Sequence, residues 1–154
     1  MQIALYQPDI PQNLGAILRL SACMQIKVHV IEPCGFILSD AKLKRAGMDY
    51  IERAQWQRHT DWQHFLDYKN AHHHRLLLAE TDGTTSLYDT TFTRKDIVLF
   101  GSESHGTPRE HYALMDAVIT IPMQSEARSL NLAMSAAICV GEAYRQLRWS
   151  LGNS

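Results

Sequence analysis

The segment AVITIPMQSEARSLN, residues 117–131, combines a short apolar run, a polar loop and the start of a helix. Ala117 to Ile121 has the length and composition of a buried strand. Asn131 to Trp149 contains no proline and begins apolar on nearly every side, which predicts a long helix buried on more than one face. Ser129 and Asn131 are candidate caps for that helix. A strand that leads through a polar loop into a buried helix is typical of α/β folds.

Outward from this segment, strand and helix patterns alternate along the chain. Pro8 and Pro11 predict a turn, and Asn13 is the predicted cap of a helix with apolar residues at i, i+3 and i+4 spacing. The alternation predicts an α/β fold with a mostly parallel sheet flanked by helices, in one domain over residues 1–154. The other predicted strands are Gln2 to Tyr6, Lys27 to Ile31, Arg75 to Ala79 and Asp96 to Phe100; the other helices are Asp40 to Ala46, ending at Gly47, and Thr60 to Lys69; the predicted loose stretches are Ala71 to His74 and Asp82 to Arg94.

Composition restricts the class of protein. With 154 residues, 45% of them hydrophobic, the chain can bury a core, and a net charge of -1 excludes a global positive field for nucleic acid. The three cysteines form no C-x-x-C pair, which argues against a disulfide framework and a zinc cage and fits a reducing cytoplasm. We expect no metal, because the adjacent histidines 72–74 lack ligand spacing, and no membrane segment, because no apolar run is long enough.

The loop Gly101 to Pro108 follows a predicted strand and contains two glycines, which allow the backbone to approach a ligand closely. Its spacing resembles a phosphate-binding P-loop, but the lysine is missing. A hydrolase nucleophile at Ser104 is also disfavoured, because Asp116 is the only aspartate after it and no histidine follows His111 to complete the chain order Ser, Asp, His. Glu103 would repel a phosphate and suits a ligand that carries positive charge or hydroxyls. An ordinary glycine-containing turn is the alternative.

Two further patterns suggest phosphate contact. Arg19 lies opposite the apolar stripe of its helix, among small residues, where a guanidinium can clamp a phosphate; a plain surface arginine is the alternative. A second set mixes cations with aromatic rings, a combination suited to RNA, although charged helix faces are usually just solvated. Its members are Lys42, Lys44, Arg45, Arg53, Arg58, Tyr50, Trp56 and Trp62.

With these residues in view, the chain resembles the SPOUT class of RNA methyltransferases, and within it the short family that 2′-O-methylates the wobble nucleotide of transfer RNA. The order and spacing of six segments carry the resemblance, which runs nearly end to end. They are Pro11 to Arg19, Ile31 to Phe36, Arg45 to Tyr50, Gly101 to Pro108, Ile121 to Met123 and Arg128 to Leu132.

The resemblance implies a deep trefoil knot in the C-terminal part of the sheet, although true knots are rare. It also implies a homodimer whose active sites are completed by the other subunit, with the anticodon stem-loop of tRNA as partner. S-adenosylmethionine would bind at Ala79, Thr81, Gly101, Ile121, Ser129, Leu130 and Asn131. Arg19 would act in catalysis together with a substrate phosphate, with Asn13 orienting the loop or ribose, Glu103 shaping the site and Arg128 holding RNA.

The implied reaction is transfer of the sulfonium methyl to the ribose 2′-oxygen of cytidine or a modified uridine. The alternatives are a SPOUT enzyme for another tRNA or ribosomal RNA position, and a dimeric RNA-binding protein without turnover. Four positions depart from the residues common in the family and affect the expected RNA-facing side rather than the cofactor loops. They are Leu14, Ala16, His105 and Gly141.

Overall fold

A computed structural model describes residues 1–45 and 50–147 of the chain. Within them, seven parallel strands form one sheet in the order β3-β2-β1-β6-β4-β7-β5. The strands are β1 Gln2–Tyr6, β2 Val28–Ile31, β3 Trp56–His59, β4 Arg75–Ala79, β5 Thr85–Ser86, β6 Asp96–Phe100 and β7 Ala117–Thr120. The α-helices are α1 Pro11–Met24, α2 Asp40–Arg45, α3 Trp62–Ala71 and α4 Leu132–Leu147, and two 3₁₀ turns span Leu87–Asp89 and Arg109–Leu114. The predicted α/β class with a parallel sheet is confirmed.

The central strands are buried on both faces. Every residue of β2 and β6 is buried, which is expected where helices cover both sides of a parallel sheet. Side chains such as Ile3 and Leu5 of β1 join a core that includes α1 and α4 residues. The alternate residues Ala4 and Tyr6 point the other way, into a smaller core built around Phe65 of α3. The sheet therefore separates an α1–α4 layer from an α3 layer.

The prediction that Asn13 caps the first helix is wrong. Helix α1 begins three residues earlier than predicted, at Pro11, with Ile10 at the cap position. Proline is favoured at the first helical position because its missing N–H would have no partner there. Asn13 is instead inside the helix and buried, so its amide is available for contacts with other elements.

Other boundaries differ by local chemistry. Helix α3 begins at Trp62 rather than Thr60 because Asp61 is its cap, accepting the His64 N–H at 2.8 Å. Strand β3 was not predicted, and Asp82 to Arg94, predicted as loose, contains β5 and a 3₁₀ turn. The predicted helix ends at Gly47 and Trp149 lie outside the described residues.

Two remaining points concern topology. No helix in the two described ranges is long and apolar enough to cross a membrane. Strands β6, β4 and β7 are adjacent in the sheet, so the loops after them meet at one edge. A knot requires the chain to pass through one of its own loops, which strand order and pairing do not describe. The C-terminal trefoil knot therefore stays a prediction.

Candidate cofactor and catalytic site

A cavity opens at the carboxyl ends of β6, β4 and β7. Its volume is about 430 Å³, within the range of small-molecule sites. The carboxyl edge of a parallel sheet is where ligands bind in open α/β folds. The polar loop before α4 forms the opposite wall. The segments after β4, after β6 and from β7 to α4, together with the start of α1, thus surround one space.

The cavity brings together ten of the eleven predicted site residues. All seven residues predicted to bind the cofactor line it: Ala79, Thr81, Gly101, Ile121, Ser129, Leu130 and Asn131. Three of the four predicted catalytic residues line it as well: Asn13, Glu103 and Arg128. Arg19 is not among the lining residues, since it lies farther along α1 on the exposed side.

A chain of side-chain hydrogen bonds joins three walls of the cavity. The Asn131 Nδ2 donates to Asn13 Oδ1 at 2.8 Å, and the Asn13 Nδ2 donates to Glu103 Oε1 at 2.9 Å. Asn131 Oδ1 accepts the N–H groups of Ala133 and Met134, so Asn131 is the one of the two candidate caps, Ser129 and Asn131, that caps the last helix. We call Asn131, Asn13 and Glu103 the cavity chain. It fixes the starts of α1 and α4 against the loop after β6.

Both oxygens of the Glu103 carboxylate accept hydrogen bonds from the protein. Besides Asn13, it accepts the N–H of Asp9 at 2.7 Å and the N–H of Ile10 at 3.3 Å. These donors precede α1, where the positive end of the helix dipole also favours a carboxylate. Glu103 therefore holds α1 to the glycine loop.

The glycine loop folds back on itself. The N–H groups of Ser102 and Gly106 each donate to the other residue's carbonyl, at 3.2 and 2.8 Å. Gly106 has a φ of 66°, in the region that favours glycine. A Cβ on Gly101 would lie 2.4 Å from the Gly106 carbonyl carbon, so only glycine allows this closure.

Both arginines of the predicted site keep free donors. Arg19 and Arg128 are exposed, and no residue of 1–45 or 50–147 accepts a hydrogen bond from either guanidinium. The Arg19 guanidinium lies over the Tyr50 ring, 4.7 Å from its centroid. A cation–π contact uses the face of the guanidinium and leaves its N–H edge available for a phosphate.

Sequence reasoning missed Glu80, which lies between two predicted residues and lines the cavity. Its Oε1 accepts the N–H of Thr107 at 3.1 Å. Burial raises the pKa of the Glu80 carboxyl, with nearby Asp82 adding to the effect. The available signal was its place directly after a buried strand, next to Ala79.

Part of the predicted cation and aromatic set serves structure. Arg58 makes a bidentate ion pair with Glu32, with both N···O distances at 2.9 Å. Trp62 packs on Tyr6 and stacks on His111 with centroids 4.5 Å apart. The motif from Arg45 to Tyr50 lies largely outside the described residues. Among the residues that are described, no cluster of three or more His, Cys, Asp or Glu side chains could hold a metal ion.

The comparison with protein families defines the class. The model of the SpoU rRNA Methylase family matches residues 1–141, which is nearly the whole chain. The chain therefore belongs to the SpoU methylase family, and the resemblance to SPOUT methyltransferases is confirmed.

Individual relatives sharpen this placement. The tRNA (cytidine(34)-2'-O)-methyltransferase of Ancylobacter novellus is 44% identical over 146 residues, covering 95% of this chain and 92% of the relative. A solved structure described as giving structural insights into the 2-OH methylation of C/U34 on tRNA is 41% identical, with a TM-score of 0.88, covering 96% of this chain and 95% of that one. The SpoU methyltransferase AviRb from Streptomyces viridochromogenes, solved with its cofactor AdoMet, shares the fold: the identity is 24%, the TM-score is 0.86, and 96% of this chain and 58% of that one are covered.

Proposed function

We propose that this chain is an S-adenosylmethionine-dependent methyltransferase that modifies the ribose 2′-oxygen of the wobble nucleotide of tRNA, either cytidine or a modified uridine. The observation that carries the proposal is the meeting of ten predicted site residues around one cavity. The tRNA relatives, similar over nearly their full length, support the choice of substrate.

The residues present fit the cofactor. The cavity combines backbone-rich, small-residue walls at Ala79 and Gly101 with polar groups at Glu80 and Ser129. Such a site can accept a nucleoside with few side-chain obstacles. When bound, S-adenosylmethionine supplies a methyl group on a sulfonium, which is electrophilic. The chain's own residues must then orient the ribose and stabilise charge on its oxygen.

Arg19 is our candidate for charge stabilisation. The ribose 2′-hydroxyl ionises only well above neutral pH, so transfer needs a proton acceptor or a stabilising charge near the oxygen. A guanidinium stays protonated in proteins, so it cannot be a general base by itself. Its free N–H edge instead suits a substrate phosphate, which would bring the RNA backbone into the reaction. Arg128, exposed at the cavity rim, would hold RNA, and Asn13 would orient the ribose or the loop.

The position of Arg19 supports a homodimer. It lies six residues beyond Asn13, about 9 Å along the axis of α1, and does not line its own chain's cavity. A second copy that packs on α1 and α4 would bring further groups to the site. Both helices expose small or apolar side chains there, including Ala16, Met134 and Ala137. Equilibrium sedimentation tests this proposal: wild type should be dimeric and Ala137→Arg monomeric, and a monomeric wild type would overturn it.

The proposed function is tested by incubating the purified protein with tritiated S-adenosylmethionine and unmodified tRNA. We expect incorporation into tRNA, and mass spectrometry of nuclease fragments should place the methyl group on the first anticodon nucleotide. No incorporation into any tRNA would overturn the proposal.

A second enzyme function has one observation in its favour, since the matching family model is described as an rRNA methylase family. The same experiment with ribosomal RNA separates the two. Incorporation into ribosomal RNA alone would support the hypothesis of a ribosomal RNA methyltransferase. Binding of RNA without binding of cofactor would instead indicate a non-catalytic RNA-binding protein.

A further inference from the structure

Glu80 places a carboxylate in the cavity at the carboxyl end of β4. Its backbone N–H still donates to the Ile119 carbonyl of β7 at 3.0 Å, so the start of the side chain is held by the sheet. The side chain is half-buried and lines the cavity. The position of the carboxylate is thus defined by regular structure rather than by a surface loop.

The two carboxylate oxygens of Glu80 have different surroundings. Oε1 accepts the Thr107 N–H at 3.1 Å and so supports the glycine loop. The Thr107 side chain contributes a second hydrogen bond to the carboxylate, and no other described residue donates to Oε2. Glu103 on the other wall differs, because both of its oxygens accept protein N–H groups. An ionised carboxylate has about four acceptor sites, so Glu80 keeps acceptor capacity for a ligand, and a partly buried carboxylate gains from a donor there.

The relation between Glu80 and the glycine loop indicates which ligand group is bound. In α/β folds that bind dinucleotides, a glycine-rich turn follows one strand, and an acidic residue at the end of a neighbouring strand accepts hydrogen bonds from ribose hydroxyls. Here the glycine loop follows β6, and Glu80 follows β4, which pairs directly with β6. The connectivity of this sheet is different, but the local arrangement of strand, loop and acid is the same.

We propose that Glu80 binds the ribose hydroxyls of the methyl donor through Oε2, while Oε1 keeps its hydrogen bond to Thr107. This proposal rests on the proposed function in requiring a nucleoside cofactor. It goes beyond it by assigning a cofactor-binding side chain that is not among the residues predicted from the sequence.

Glu80→Gln is the matched substitution, because the amide oxygen can still accept the Thr107 N–H. Asp82→Asn is the control: it removes an exposed acid two residues away that does not line the cavity. Both variants should unfold at the wild-type temperature within a few degrees. Calorimetry then measures binding of S-adenosylhomocysteine and of its 2′,3′-dideoxy analogue to each protein.

We expect Glu80→Gln to weaken S-adenosylhomocysteine about ten-fold and to bind the dideoxy analogue as wild type does. Asp82→Asn should bind both ligands as wild type does. An equal loss for both ligands, or no loss for either, would overturn the proposal. Methylthioadenosine, which keeps the ribose but lacks the amino acid, must show the same loss; unchanged binding would place Glu80 at the ammonium group instead. Failure of wild type to bind S-adenosylhomocysteine would contradict the proposed function itself.

Discussion

Among the described residues, the cavity chain and a second hydrogen-bonded chain of polar side chains differ in what surrounds them. The cavity chain of Asn131, Asn13 and Glu103 lies beside an open space at the carboxyl edge of the sheet. The other, which we call the histidine chain, runs through His59, His29, Gln2 and His74 and ends at the Lys95 carbonyl beside α3. All three of its histidines are buried.

The histidine chain has only one consistent set of donors. His29 Nε2 must donate to Gln2 Oε1, at 2.6 Å, so in the neutral ring Nδ1 accepts from His59, at 2.8 Å. A second proton on His29 would place two N–H groups face to face. Burial, followed by repulsion from His59, lowers the pKa of His29 to about 3, and burial lowers that of His59 to about 4. The histidine chain is therefore closed to ligands and stabilises the fold only while it is neutral.

The difference between the two chains indicates which polar clusters serve function and which serve the stability of the fold. The histidine chain is buried, including its unpartnered atom His59 Nδ1. The cavity chain instead adjoins an open space that Glu80 and Arg128 also line. We expect changes near the cavity to alter methyl transfer more than folding, and changes in the histidine chain to do the reverse.

The largest effect should come from Arg19→Ala. Because no described residue accepts a hydrogen bond from its guanidinium, folding should be unaffected, while loss of the charge should reduce methyl transfer about 10³-fold. Single-turnover transfer and calorimetric cofactor affinity measure the two properties separately. An equal loss of transfer and cofactor affinity would mean that Arg19 has a structural role.

Acidification should act on the histidine chain. The pKa values of His29 and His59 are lowered in the folded protein, so the unfolded chain takes up protons first as the pH falls below about 6.5. The two neutral histidines therefore make their full contribution to the free energy of unfolding above that pH. The free energy of unfolding should decrease by about 2–4 kcal/mol by pH 5. Urea unfolding at several pH values measures the slope.

A histidine variant isolates this contribution. His29→Gln removes one titrating group, so its stability should depend less steeply on pH, by about one proton. His73→Asn changes an exposed histidine with positive φ, a conformation that asparagine tolerates, and should keep the wild-type slope. Identical slopes for wild type and His29→Gln would contradict the assignment.

Asn13→Ala should break the cavity chain at its centre. The loss of orientation should slow single-turnover methyl transfer about 100-fold, and the free energy of unfolding should fall by about 1–2 kcal/mol because partners lose hydrogen bonds. Gln12→Ala, an exposed neighbour on α1, is the control for helix propensity. Wild-type transfer by Asn13→Ala would show that the cavity chain has no part in the reaction.

The smallest effect concerns Tyr50, which lies against Arg19. Tyr50→Phe keeps a ring face and should retain wild-type turnover, whereas Tyr50→Leu should lower it about three-fold, the value of an exposed cation–π contact. Steady-state turnover with saturating tRNA is the measurement. Equal rates in the two variants would show that the contact does not position the guanidinium.

Much of this molecule follows from patterns local in the sequence. The apolar runs at Arg75 to Ala79 and Asp96 to Phe100 were predicted with the observed bounds, because a buried parallel strand is continuous in hydrophobicity. Strand β3, Trp56–His59, was missed because its side chains are mostly polar and half-buried at the sheet edge. Its residue type predicts Asn13 as a cap, but the proline that begins the helix is the stronger signal.

The sequence by itself determined the fold class, the family resemblance and most of the candidate site residues, because these depend on residue types at fixed spacing. Only the tertiary structure decided which polar groups are hydrogen-bonded within the protein and which keep hydrogen-bonding capacity for a ligand. Glu80 and Glu103 are both glutamates next to strand ends, yet one keeps an acceptor toward the cavity and the other accepts three protein N–H groups. That distinction depends on partners up to 94 residues away, brought close by the packing of parallel strands and helices.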